Sequence, residues 1–448
     1  MCVDNLWLAI DSAKDTRTLR EFAFTEGFQN NQRQQRSLTL GIDGSELLYG
    51  LEKGSHNSSH ILELLFASMC KYSEAPVILL FVFKNPDSPR AKQCHESKPA
   101  TLDLYRNAIE LIRQFGYYST EAEGGADSHL ASLSNSRIID SAISQDGGLL
   151  VLGIDIILQQ PRINPLGELV YNVYAAEYIK EDFSLEREGL LFFTLLDGVE
   201  SYDTNSIVEL ARSNLAKEFV EAFKNILQQS QPLEDHLRSW RSRVVDELLS
   251  NRNGYMERRH PELAACIDER FPSLRLLDYY INTPAPLLPN EATYLNQILK
   301  PTLPNIAGIV GYCREQFWWL DAQMMQRFKD TLFKGAISRM LHSPLIVFDA
   351  REQTFRKRSW QMKLLNESQL RRVEGGIELI RVTFSLAGLT KVAGIVMRQP
   401  MKQTVWIPLP VLLVTKLPRG LSQAQYDHAA SGVPIDGALG QKPDEESG

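Results

Sequence analysis

The run Val77-Ile78-Leu79-Leu80-Phe81-Val82-Phe83 constrains the fold of this chain more than any other stretch. It is apolar at every position, so a strand built from it needs cover on both faces, as in a buried parallel sheet. Turn residues bound it, and it is too short to be read as a helix. Its neighbours extend the pattern. Residues 37–42 read as a strand running into Asp43, and 44–49 open a helix. Residues 60–72 and 101–116 carry helical periodicity, while 138–143, 148–152, 154–158 and 170–174 read as further strands. This alternation predicts an α/β fold around a mostly parallel sheet.

At 448 residues the chain has length for two or three domains and a large core. Residues 185–227 read as largely helical, and the polar break at 228–232 precedes a basic amphipathic helix at 236–251. An apolar-periodic segment at 271–281, a Pro-rich linker at 283–289 and helices over 290–341 follow. Residues 343–348, 377–384, 392–397 and 404–414 read as strands of a small β-containing module, and the tail from 422 lacks apolar periodicity and is expected to be disordered.

A formal net charge of -7 does not advertise nucleic-acid binding, although a local basic face can coexist with it. The five cysteines (Cys2, Cys70, Cys94, Cys266, Cys313) are scattered, without zinc or redox spacing, which suits reduced thiols in a nuclear or cytoplasmic compartment. The amino terminus lacks a signal-peptide pattern, and no apolar stretch reaches the roughly 18 residues of a membrane span. No membrane partner is expected.

In open α/β sheets, ligands gather beyond the C-terminal ends of the strands. Asp43 follows one predicted strand there, and Asp146 lies just beyond another. Either alone is more often a helix cap or turn residue than a ligand. Between them lies the acidic, small-residue stretch Glu121-Ala122-Glu123-Gly124-Gly125-Ala126-Asp127. Together they form a layout in which carboxylates from separate elements can converge on divalent cations.

Taken in order, these elements resemble the N and I regions of the XPG/flap endonuclease family. The likeness rests on MCVDNLWLAI, LTLGIDGSELLYG, ILLFVFKNPDSPRAKQ, FGYYSTEAEGGADSHLASL and IIDSAISQDGGLLVLG. The segment LRSWRSRVVDELLSNRNGYMERRHPELAACIDERFPSLRLLDYY is similar to the region after the nuclease core in fungal Holliday-junction resolvases. IELIRVTFSLAGLTKVAGIV and TVWIPLPVLLV extend the likeness to about residue 415. The resemblance implies a PIN-like core with a mostly parallel sheet, then a helical segment and a small chromodomain-like module. It divides the chain into an N-region at 1–100, an I-region with a degenerate helix–two-turn–helix element at 101–232, a resolvase-type C-terminal region at 233–420 and a tail at 421–448.

The family holds two or three magnesium ions with about seven acids, and the ions activate water and stabilise the attacking and leaving oxygens. Carried over, the resemblance implies Asp43, Asp127, Asp146 and Glu200 as catalytic metal ligands, with Glu123 and Asp203 as weaker matches. Lys84, Gly125 and Gly148 stand where the family has acids. An ammonium ~4 Å from a bound cation costs on the order of 4 kcal/mol per unit of metal charge at an effective dielectric near 20. Lys84 could instead pair with Asp43 or Asp146 and replace missing metal charge. Cys2 replaces the family's second-position glycine, and the helix–two-turn–helix glycines are absent after residue 200.

Two basic stretches stand out, one from Arg238 to His260 and one containing Arg351, Arg356, Lys357, Arg358 and Lys363 with Phe355 and Trp360 interleaved, continuing to Arg371 and Arg372. Each is as readily a solvated face as a phosphate-binding one. Arg90, Lys92, Arg356, Lys357 and Arg358 are the expected DNA contacts. Phe317-Trp318-Trp319 reads as core packing, and His129 has no partner histidine at metal spacing.

The resemblance thus implies a protein that binds branched or flapped DNA with weakened or lost Mg²⁺-dependent cleavage. An active structure-specific endonuclease and a protein-interaction scaffold on the same fold are the alternatives, and the expected location is nuclear, with cytoplasmic as the alternative.

Overall fold

The computed structural model describes residues 4–29, 37–54, 57–84, 99–122, 125–197, 204–229, 233–282, 287–343, 345–357, 360–395 and 401–416. Seven strands form the main sheet: β1 (Asp15–Thr18), β2 (Leu38–Asp43), β3 (Val77–Lys84), β4 (Tyr118–Ala122), β5 (Ser141–Ile143), β6 (Ile156–Ile163) and β7 (Leu169–Ala175). Their order is β1-β7-β6-β5-β2-β3-β4. From β6 through β5, β2 and β3 to β4 every pairing is parallel. Only β7 runs antiparallel, to β6 and to β1.

The apolar run at 77–83 is β3, next to last in this order, and its side chains serve both faces. Ile78, Leu80 and Val82 join one core with Leu130, Ala142, Ile157 and Phe193. Val77, Leu79, Phe81 and Phe83 join the other with Leu65, Phe66, Leu111 and Ile337. Each such side chain contributes about 1.5–3 kcal/mol by leaving water, which is why the run is apolar at every position. The helix Ala126–Asn135 lies over Gly41 of β2, where an added Cβ would stand 2.6 Å from Leu130. This close approach fixes where the helix, and Asp127 on its first turn, meets the strand ends.

A second sheet is antiparallel throughout: β8 (Val347–Asp349), β9 (Thr354–Lys357), β10 (Trp360–Glu374), β11 (Ile377–Ser385) and β12 (Lys402–Pro408). This is the small β-containing module expected near the C-terminal end. Its buried Phe355, Met362, Val382, Phe384 and Ile407 belong to the same core as Leu40 and Phe81 of the main sheet.

Several local expectations are corrected. Residues 148–152 are not a strand: Gly148–Val151 is a buried helical turn, entered through the Asp146 turn. The expected strand at 392–397 is preceded by the helix Ala387–Ala393, which takes in its first two residues and ends on left-handed Gly394, while 396–400 lie outside the described residues. The run at 404–414 is strand only to Pro408, and Leu409–Lys416 is a helix with Pro410 in its first turn, where proline fits. A short apolar run has the same composition in either state, so periodicity could not decide. Phe317 and Trp319 are core residues as expected, but Trp318 is 84% exposed with φ 56°.

Candidate functional site

The parallel strands β5, β2, β3 and β4 all deliver their C-terminal ends to one edge of the main sheet. β2 ends on Asp43 and β3 on Lys84, while Asp146 lies three residues beyond β5. Asp127 enters from the first turn of the helix Ala126–Asn135. Asp43 Oδ1 accepts from Ser45 N–H at 2.8 Å and Glu46 N–H at 2.9 Å, capping the helix Gly44–Glu52. Asp146 Oδ1 accepts from Gly148 N–H at 2.9 Å, and the Asp146 N–H donates to Ser144 Oγ at 3.0 Å. Both aspartates therefore carry the cap and turn roles that lone acids at such places commonly have, and both still border the site.

The capping geometry adds a fourth acid that the motif did not reveal. Glu46, one turn into the Asp43-capped helix, is pushed up to about 7 by burial of its carboxyl, then by Asp43, Asp127 and Asp146. The residue as a whole is exposed, so the shift reflects where its carboxyl points rather than wholesale burial. Asp43 is raised by burial, against the hydrogen bond from Glu46 and the charge of Lys84. Asp127 is raised by burial and then by Asp43, again against Lys84. The Lys84 ammonium thus compensates Asp43, Glu46 and Asp127 through space, while its backbone N–H donates to Ser45 Oγ at 3.0 Å. The sequence signal for Glu46 is the Asp43-x-x-Glu46 spacing, which puts cap and first-turn acid on one side of a helix.

Asp43, Asp127 and Asp146 are brought together; the other expected ligands Glu123, Glu200 and Asp203 lie outside the described residues, as do Cys2, Arg90, Lys92 and Arg358. Gly125 is the N-cap of its helix, and a side chain there would meet nothing within 4 Å. Gly148 differs: an added Cβ would stand 2.9 Å from Tyr280 Oη. Tyr279, next to it, has its hydroxyl pushed up to about 12 by burial and then by Asp127 and Asp146. Magnesium takes hard oxygen ligands in near-octahedral geometry. Among the described residues no three His, Cys, Asp or Glu side chains form a group that could hold a metal. Asp43, Asp127 and Asp146, the described ones among the expected ligands, therefore do not by themselves make a Mg²⁺ ligand set.

His129 lies 3.5 Å from Glu291 and is lowered by burial, which suits a packed side chain. Much of the basic surface is matched within the chain. Arg238, Arg241, Arg243 and Arg252 pair with Asp235, Glu234, Glu218 and Asp246. Arg356 lies 3.4 Å from Asp349, Arg371 pairs with Glu378, and Arg372 pairs with Glu168 and Glu374. Lys357 ends β9 as a half-buried residue.

A mostly parallel sheet with acids at the C-terminal edge of its parallel strands, followed by helices and a small antiparallel sheet, defines the XPG-type, PIN-like nuclease fold. Solved structures of a eukaryotic junction-resolving enzyme, GEN1, share it. The chain aligns with the sodium-bound form of GEN-1 at a TM-score of 0.70 and 20% identity, over 92% of this chain and 96% of that one. With GEN1 in complex with product DNA and Mg²⁺ the values are 0.68 and 21%, over the same shares, and with the complex holding Mg²⁺ and Mn²⁺ they are 0.66 and 20%. No family model matches the sequence, and no curated protein sequence matches it. Among the described residues no helix is long and apolar enough to cross a membrane.

Proposed function

We propose that this protein binds branched or flapped DNA through a nuclease fold and has little or no Mg²⁺-dependent phosphodiester cleavage. One observation carries the reading: at the strand edge where metals would sit, β3 ends on Lys84 alongside the Asp43 end of β2, and its charge works against the upward shifts of Asp43, Glu46 and Asp127. A lysine ammonium there substitutes for part of a metal's charge, keeping the acids together without supplying a Lewis acid or a metal-bound water. The similar structures of GEN1 were solved with product DNA and Mg²⁺, which supports DNA as the ligand class. The nucleus is the compartment that goes with it.

A binding titration tests the DNA half. Labelled four-way junction and flap duplexes are mixed with the full chain in EDTA at several salt concentrations. Binding that prefers the branched forms over linear duplex and falls linearly in log affinity against log salt is expected. Absence of binding to every DNA form overturns it and leaves the protein-interaction scaffold.

A further inference from the structure

The helix Leu274–Asn282 brings two consecutive tyrosines to the acid cluster. Tyr280 is only 2% exposed. Its carbonyl accepts from Arg187 Nη2 at 3.2 Å, while Arg187 Nε donates to Val151 O at 2.7 Å. One guanidinium therefore ties this helix to the helical turn Gly148–Val151. The tie sets the Tyr280 hydroxyl above Gly148, where a Cβ would lie 2.9 Å from Tyr280 Oη and 3.2 Å from Asp146 Oδ1. Real Cβ atoms essentially never come within 3.0 Å of another heavy atom in this way. A side chain at position 148 therefore forces the Tyr280 hydroxyl, the end of a buried ring, to shift, whereas position 125 is open. A phenol is a neutral hydrogen-bond donor, able to satisfy a carboxylate without bringing the charge of a metal.

We infer that the helix Leu274–Asn282 is a plug supplied by the chain itself, with Tyr280 filling the notch through which a side chain at 148 would reach a divalent cation beside Asp146. The inference rests on the proposed function and deepens it: the site is closed to metals by a packed tyrosine as well as by missing carboxylates. Restoring a carboxylate at 148 is then insufficient unless the hydroxyl is removed with it.

A double-mutant cycle on the full chain tests this, using Gly148→Asp, Tyr280→Phe and the pair, with MnCl₂ as probe followed by the electron paramagnetic resonance of free Mn²⁺. Gly148→Asp alone lowers the melting temperature by several degrees and gains no Mn²⁺ binding. In the Tyr280→Phe background, which keeps the ring and loses one oxygen, at least half of that loss is recovered and Mn²⁺ binds at least tenfold more tightly than to the wild type. Gly125→Glu, facing open space, changes the melting temperature by the same amount in the wild-type and Tyr280→Phe backgrounds. A cycle without coupling in melting temperature, or Mn²⁺ binding that ignores residue 280, overturns the inference. Junction binding in EDTA is recorded on the wild type alongside; its absence counts against the DNA-binding reading, while the coupling between positions 148 and 280 stands or falls on the cycle alone.

Discussion

Glu46 is the residue whose chemistry departs most from what its type alone gives. In the folded chain it holds its proton to about pH 7, whereas its ordinary value is 4.5. The folded state therefore binds more protons than the unfolded state between these values. The associated stability is fully present below about pH 4.5 and is lost as pH rises through about 7. Asp43 and Asp127 are shifted in the same direction, burial being the largest cause for each, so the cluster as a whole favours folding on the acid side. Glu46→Gln removes one ionisation from this set. It is expected to raise the melting temperature at pH 8 by a few degrees and to leave it nearly unchanged at pH 4.5; an equal change at both pH values contradicts the assignment. At this scale the sequence is informative where a residue follows a strand end. The places of Asp43, Lys84 and Asp146 at or beyond strand ends, and of Asp127 on the first turn of a helix, are legible from motif order. Glu46 is hidden because a first-turn glutamate is a routine helix residue, and Tyr280 because its role depends on a contact 132 residues from Gly148 in the chain.

Among the elements, those with two buried faces or clear helical periodicity are legible and those with short mixed runs are not. β3 can be read directly because every residue from Val77 to Phe83 is buried. β10 escapes such a reading: burial alternates only from Trp360 to Leu365, and the rest of its 15 residues are mostly exposed and polar. The helical turn Gly148–Val151 reads as a strand because its apolar letters suit either state, and the deciding contact is the Asp146 turn. That turn and the helix Leu274–Asn282 are held together by Arg187. Arg187→Ala removes both hydrogen bonds, at about 1–3 kcal/mol. Amide exchange is expected to speed up in Leu274–Asn282 and the turn while the helix Ser58–Ser73 is unaffected; a uniform increase across the chain contradicts this role.

For the whole molecule, the main sheet and the β8–β12 module share one hydrophobic core, in which Phe81 and Phe384 are both members. Polar contacts join them as well, since Arg20 pairs with both Glu168 and Glu374. Calorimetry is therefore expected to show the two sheets melting in a single transition, and two resolved transitions contradict a shared core. The net charge of -7 is compatible with DNA binding only through a local face, and many of the arginines of the basic stretches are paired with acids at the surface. Such exposed pairs are worth little in stability, about 0–1 kcal/mol each, and can open toward phosphate. Loss of metal-dependent cleavage is tested most directly by incubating a labelled four-way junction with excess protein in Mg²⁺ or Mn²⁺, with Asp146→Asn beside the wild type. A site whose acids are compensated by Lys84 gives no product above background from either protein. Metal-dependent product from the wild type that Asp146→Asn abolishes contradicts it.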